Sequence, residues 1–183
     1  MNFKIKKGKG VRGDVTIPGD KSISHRSIMC ASLSEGKSEI YGFLEGEDCL
    51  ATKLAFKEMG INFETNKDGI IVHGSGLHGL KDPKKEIYLG NSGTSIRLLS
   101  GILSGQKFSS TLIGDESLSS RPMSRIIEPL SLMGANIKSQ NSGRPPLKIS
   151  KSGTLNSINY DLPISSAQVK SCILFASLYS EGK

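Results

Sequence analysis

The chain has 183 residues, of which 36% are apolar, 22% charged and 5% aromatic, with no Trp, and this balance reads as one soluble globular domain or a piece of a larger one. Its net charge of +7 favours an anionic partner: nucleic acid, a membrane surface or a phosphorylated metabolite. Cys30, Cys49 and Cys172 are too scattered for a disulfide framework or a zinc site, which suits a reducing cytoplasm. The first ten residues lack the apolar region of a secretion signal, and the apolar run 172–176 is too short to span a membrane.

In chain order, residues 3–17 predict a lysine-rich strand, a Gly-rich turn and a second short strand. Pro18 and Gly19 end that strand, and a helix over 22–34 follows, with Ser22 or Ser24 as its cap. A strand is expected over 38–43. A second helix over 48–59, capped by Asp48, carries Leu50, Leu54 and Ala55 on one face and stops at Gly60. Two strands over 61–65 and 69–73 are joined by Asn66-Lys67-Asp68-Gly69, which is hairpin chemistry. The order then restarts: a strand over 86–90, an apolar helix to Leu103, a strand over 108–113, a loop over 114–121, and a helix over 122–133 with Pro122 in its first turn and Gly134 as its stop. A strand pair over 135–138 and 147–150 closes that copy. A third opens with a strand over 158–162 and a helix from Ser165, in which Ile173, Leu174, Phe175, Ala176 and Leu178 predict burial.

These copies can be aligned by counting. Ser22 and Arg26 recur as Ser166 and Lys170, 144 residues on; Met59-Gly60 recurs as Met133-Gly134, 74 residues on; Arg97 lies 71 after Arg26, with Thr94 three before it. A strand–helix–strand–helix–strand–strand unit of just over 70 residues therefore occurs twice and begins again, so the fold class is α/β (α+β). Each first helix opens on hydroxyls and is followed a turn later by a cation. A helix N-terminus offers unpaired amides and partial positive charge, so these turns suit phosphate or carboxylate groups. In isolation the first of them also describes an ordinary capped surface helix.

Four stretches carry a resemblance: Pro18-Gly-Asp-Lys-Ser-Ile-Ser-His-Arg26, Leu89-Gly-Asn-Ser-Gly-Thr-Ser-Ile-Arg97, Gly114-Asp-Glu-Ser-Leu-Ser-Ser-Arg-Pro-Met123 and Ser165-Ser-Ala-Gln-Val-Lys170. Together they resemble the N-terminal half of the EPSP synthases, in the class II form, over nearly the whole chain. That resemblance implies an "inside-out" barrel of repeated βαβαββ units, here about 18–80, 81–152 and an incomplete 153–183, with residues 1–17 as strands pairing with a second domain absent from this chain. It also implies two substrates, shikimate-3-phosphate and phosphoenolpyruvate, with no cofactor, metal, nucleic acid or membrane partner, in the cytoplasm. Carried over by motif, Lys21 is the catalytic cation touching both substrates. Ser22, Arg26, Ser166, Ala167 and Gln168 bind shikimate-3-phosphate; Asn91, Gly93, Arg121 and Gln168 bind phosphoenolpyruvate. Gly93 matches the glyphosate-sensitive form of its loop. The general-base Asp and a catalytic Glu of that family would lie in the second domain, so this chain alone is expected to bind weakly and not to turn over.

The sister enolpyruvyl transferase that acts on UDP-N-acetylglucosamine has Lys-Asn in the first motif and a Cys in the third; here Lys21-Ser22 and a loop without Cys stand instead. Against a nucleic-acid-binding module, the basic residues are dispersed and no aromatic pair is set to stack on bases. Of the remaining residues, His25 reads as helix surface, His73 and His78 lack ligand spacing, and Cys172, Met29, Met123 and Met133 read as core. Lys4, Lys6, Lys7 and Lys9 read as a solvated edge. Lys170 is open between substrate contact and a structural ion pair, and Asp48, a helix cap by its position, keeps a minor cleft role by the resemblance.

Overall fold

The computed structural model describes residues 2–8, 10, 12–67 and 69–182; the expectations for Lys9, Val11, Asp68 and Lys183 fall outside it. Helix α1 (Lys21–Leu33) leads to strand β1 (Glu35–Tyr41), helix α2 (Glu47–Glu58) and the hairpin β2 (Asn62–Thr65) and β3 (Gly69–Ser75). These strands form an antiparallel sheet ordered β1-β3-β2. The hairpin turn closes as its sequence predicts: the Gly69 amide donates to the Asn66 side chain at 2.7 Å and the Asn66 amide to the Gly69 carbonyl at 3.0 Å.

Strand β4 (Ile87–Tyr88), helix α3 (Gly93–Ser104), strand β5 (Ser110–Ile113), a single-turn helix α4 (Glu116–Ser119), helix α5 (Ser124–Leu132) and strands β6 (Asn136–Gln140) and β7 (Arg144–Ser150) follow. Their sheet runs β4-β5-β7-β6, with β4 parallel to β5 across α3 and the remaining pairs antiparallel. Along β7 the buried residues Pro145, Leu147 and Ile149 alternate with more exposed ones, and Leu147 sits opposite buried Leu112. This is the period-two pattern of a sheet with one face on a core. Strand β8 (Leu155–Asn156), helix α6 (Ala167–Ser177) and strand β9 (Ser180–Glu181) complete the chain, β8 and β9 pairing parallel.

Helix α3 lies at the centre. Ile96, Leu98, Leu99 and Ile102 have no exposed surface, and even Ser95, Ser100 and Ser104 are buried. The two deep serines, Ser100 and Ser104, stay satisfied by donating to carbonyls one turn back, at 2.7 Å each. Helix α3 packs most closely on α6, and one continuous apolar cluster joins residues of all the longer helices with both larger sheets. At the contact, Gly101 faces the Cys172 carbonyl with no room for a side chain: a Cβ there would lie 2.2 Å from that oxygen.

Several expectations change. Residues 3–17 form no strand among those described, and Phe3, Ile5, Val15 and Ile17 are largely exposed, because an extended segment needs a partner ladder to become a strand. Asp20, not Ser22 or Ser24, caps α1, accepting from the Ile23 amide at 2.7 Å. Asp48 is the second residue of α2, not its cap. The buried face of α2 is Cys49, Thr52, Ala55 and Phe56, while Leu54 is exposed. Pro122 precedes α5, whose cap is Met123, and the loop over 114–121 contains α4. The strand expected over 158–162 is irregular, and the pairing strand is β8 instead. On α6, Leu174 and Leu178 are about half exposed, so that helix has one open face. Met29, Met123, Met133 and Cys172 are core, and burial pushes the Cys172 thiol up to about 12. Gly60 and Gly134 stop their helices at φ of 91° and 94°.

Candidate active site

Helices α1, α3 and α6 each begin with a side-chain cap. Asp20 caps α1, Ser92 caps α3 by accepting from the Ser95 amide at 3.2 Å, and Ser166 caps α6 by accepting from the Val169 amide at 3.3 Å. All three of these helix starts, with the start of α2 and the end of α4, border an open cleft of about 420 Å³ lined by Lys21, Glu47, Asp48, Asn91, Gly93, Thr94, Arg121 and Gln168. Gln168 comes from the first turn of α6 and completes the ring. Five of the nine predicted site residues, Lys21, Asn91, Gly93, Arg121 and Gln168, thus meet in one place although 147 residues separate the first from the last.

The cleft is strongly polar and internally tied. Lys21 Nζ pairs with the Asp48 carboxylate, Arg121 donates to the Asn91 side-chain oxygen, and Gln168 Nε2 donates to Thr94 Oγ1 at 3.0 Å. Arg121 also reaches Ser117 Oγ at 3.4 Å. Behind Gly93, Arg97 donates to the Gly93 carbonyl at 3.0 Å and to the Pro122 carbonyl at 3.4 Å, and no ion pair to it occurs among the described residues. Its guanidinium is depressed below the ordinary value by burial, then by the like charges of Arg121 and Arg125. An anion in the cleft would relieve that repulsion. A Cβ on Gly93 would stand 2.7 Å from Arg97 Nη1 and 3.0 Å from Arg121 Nη1, so the glycine gives two guanidinium groups room to approach one point.

The other four predicted residues lie outside the residues lining the cleft. Ser22 is exposed, and its backbone oxygen accepts from Arg26 Nη1 at 3.1 Å. Arg26 is also held by Ser171 of α6, whose Oγ accepts from Nη2 at 2.7 Å and from Nε at 3.2 Å. Ser166 spends one lone pair as the α6 cap, and Ala167 is exposed at the start of that helix. Lys170, which the sequence spacing aligned with Arg26, is exposed. The sequence reading missed the places of Glu47 and Thr94 in the cleft lining, and gave Asp48 first as a helix cap with only a minor place in the cleft; the one available signal for Thr94 was its position three residues before Arg97. It also placed His25 on the surface, whereas the residue is fully buried. A larger recess of about 600 Å³, bounded by His78, Gln106, Lys151 and Tyr179, contains none of the predicted residues.

The family model for EPSP synthase (3-phosphoshikimate 1-carboxyvinyltransferase) matches residues 5–183. The chain belongs to the EPSP synthase family. Among curated relatives, the 3-phosphoshikimate 1-carboxyvinyltransferase of Ruthia magnifica subsp. Calyptogena magnifica is 57% identical over 181 residues, and that of Methylococcus capsulatus is 54% identical over 182. Each alignment covers 99% of this chain but only 41% and 42% of those relatives. An EPSP synthase structure from Acinetobacter baumannii superposes with a TM-score of 0.90 at 56% identity, covering 93% of this chain and 39% of that one. The chain therefore spans about two fifths of the length of these EPSP synthases. Among the described residues, no helix is long and apolar enough to cross a membrane.

Proposed function

We propose that this chain supplies the N-terminal share of an enolpyruvyl-transfer site that joins phosphoenolpyruvate to shikimate-3-phosphate. The observation that carries the reading is the convergence of Lys21, Arg121 and Gln168, from three separate parts of the sequence, on one polar cleft, where Arg121 has no carboxylate partner among the described residues and Lys21 is paired with Asp48. Both substrates are anionic, and bringing them together opposes like charges at about 1–4 kcal/mol per close pair, so the site needs cations in excess. Arg121 and Asn91 hold the anionic end of phosphoenolpyruvate beside Gly93. Lys21 lies between the two substrates and exchanges its Asp48 partner for them. Ser22, Arg26, Ser166, Ala167 and Gln168 engage shikimate-3-phosphate, the 3-phosphate at the entry of α6. The 5-hydroxyl oxygen then bonds to C2 of phosphoenolpyruvate as C3 takes a proton and the hydroxyl gives up its own. Loss of phosphate with a C3 proton from the tetrahedral adduct yields the enolpyruvyl ether. Lys21 stabilises the developing charge.

The groups that complete this chemistry belong to a second domain, in keeping with the two-fifths coverage of relatives. Within the barrel reading, residues 18–80, 81–152 and 153–183 are successive βαβαββ units, the last incomplete, and residues 1–17 pair with that second domain. The exposure of Phe3, Ile5, Val15 and Ile17 supports this. The setting is cytoplasmic. Calorimetric titration of the 183-residue chain tests the assignment. Shikimate-3-phosphate and phosphoenolpyruvate should both bind weakly, Arg121→Ala should weaken phosphoenolpyruvate about 10-fold or more, and Arg26→Ala should do the same to shikimate-3-phosphate. Binding unchanged in both variants overturns the roles, and turnover by this chain alone overturns the shared-site reading.

A further inference from the structure

Directly behind the cleft, three of the helices that border it, α1, α2 and α3, are joined through a buried set of polar groups. His25 of α1 has no exposed surface, and its Nδ1 lies 2.7 Å from Thr52 Oγ1 of α2. Thr52 Oγ1 lies 2.7 Å from Ser95 Oγ of α3, which lies 2.6 Å from Ser92 Oγ. Thr52, Ser92 and Ser95 are likewise fully buried. Ser95 Oγ is also 3.3 Å from the carbonyl of Asp48, the residue whose carboxylate holds Lys21. His25 Nε2 is buried and has no hydrogen-bond partner among the described residues.

Counting hydrogens selects one tautomer. Thr52 Oγ1 is also 3.5 Å from the Asp48 carbonyl, so with Nδ1–H either Thr52 or Ser95 can supply that carbonyl, and the arrangement with the shorter contact, from Ser95, is the one described. If Nδ1 carries the imidazole proton, His25 donates to Thr52, Thr52 donates to Ser95, Ser92 donates to Ser95, and Ser95 donates to the Asp48 carbonyl. Each close contact then holds one hydrogen, Ser95 uses both lone pairs, and the unpartnered Nε2 is only a bare acceptor. If Nε2 carries the proton, Thr52 must donate to His25 and Ser95 to Thr52. The Asp48 carbonyl then loses its Ser95 bond, and an N–H is left buried without an acceptor, the costlier kind of orphan. We propose that His25, as the neutral Nδ1–H tautomer, is a positioning residue: through Thr52 and Ser95 it fixes Ser92, and hence the Asn91–Gly93 loop, against the helices that carry Lys21 and Asp48. Within the enolpyruvyl-transfer reading, on which this part rests, that loop is the phosphoenolpyruvate loop.

The tautomer is read from long-range ¹H–¹⁵N spectra of the 183-residue chain at neutral pH. The expected pattern is Nδ1–H for His25; an Nε2–H pattern, or the averaged pattern of a free histidine, overturns the proposal. Positioning is read from the Gly93 and Thr94 amides in His25→Phe, which fills the site without a donor, and His25→Asn, whose side-chain nitrogen can occupy the place of Nδ1. His25→Phe should displace both signals and weaken phosphoenolpyruvate binding by about 10-fold or more, while His25→Asn restores the signals and most of the affinity. Equal behaviour of the two variants overturns positioning. Should His25→Phe fail to fold, Ser95→Ala interrupts the same connection and must shift the same amides. If wild type fails to bind phosphoenolpyruvate, the substrate reading falls, and the tautomer and the amide shifts still decide the hydrogen-bond chain.

Discussion

At residue scale, burial rather than charge governs His25. It sits one position before Arg26 and four after Lys21, yet its ring is enclosed, and desolvation lowers its pKa from 6.5 to about 4. Asp48, on α2, opposes that shift, while Lys21 and Arg26, on α1, reinforce it; from α3 and its cap, the hydroxyls of Ser95 and Ser92 join the same hydrogen-bonded set. Because the folded value lies below the unfolded one, the unfolded chain binds the extra proton. The contribution is complete above pH 6.5, declines as pH falls, and is gone near pH 4. Its full size is on the order of 3 kcal/mol. Urea unfolding of wild type and His25→Asn at pH 7.5 and pH 4.5 should show the wild-type advantage shrinking at the lower pH; an advantage that holds or grows contradicts the buried neutral state. None of this was legible in the motif, because a histidine flanked by a serine and an arginine has the same local pattern on a surface as in a core. Its surroundings, Thr52 and Ser95, arrive from 27 and 70 residues away. Lys21 and Gln168 were legible because their motifs are short, local and tied to helix starts, whereas Arg121, just past the end of α4, was legible only through the family motif that contains it.

At the scale of elements, the α3–α6 contact determines whether Gln168 reaches the cleft. The two helices approach at Gly101, where a methyl group would meet Cys172 backbone atoms rather than a side chain that can turn away. Gly101→Ala should therefore lower stability by about 1–3 kcal/mol, measured by urea unfolding, and should break the bond between Gln168 and Thr94 by moving α6 outward. Unchanged stability would mean that α6 is not seated on α3 as described. Helices and hairpins followed the sequence where a local cap or turn decides them: Gly60, Gly134 and the Asn66–Gly69 turn each act within a few residues. Elements that depend on distant partners did not. Residues 3–17 predict strands, but those described there have no ladder to join, and β8 is set by pairing with β9 rather than by its own composition. Leu54 shows the same limit on a helix: the inward face of α2 is chosen by α1 and α3, not by which of its residues are most apolar.

For the whole molecule, a net charge of +7 spread along the sequence becomes functional only when folding gathers part of it. Packing achieves that gathering, since the starts of α1, α3 and α6 border one cleft, and the cations of Lys21 and Arg121 meet there from positions 100 residues apart in the sequence. The composition had excluded disulfide and zinc architectures and favoured an anionic partner, but convergence is a property of the packed helices alone. The most direct measurement is a backbone-amide NMR titration of the 183-residue chain with phosphoenolpyruvate in the presence of shikimate-3-phosphate. Convergence predicts that shifts concentrate together at Lys21, Asn91 to Thr94, Arg121 and Gln168, saturating at one common concentration. Shifts scattered over the exposed lysines, or moving at unrelated concentrations, would contradict a single shared cleft.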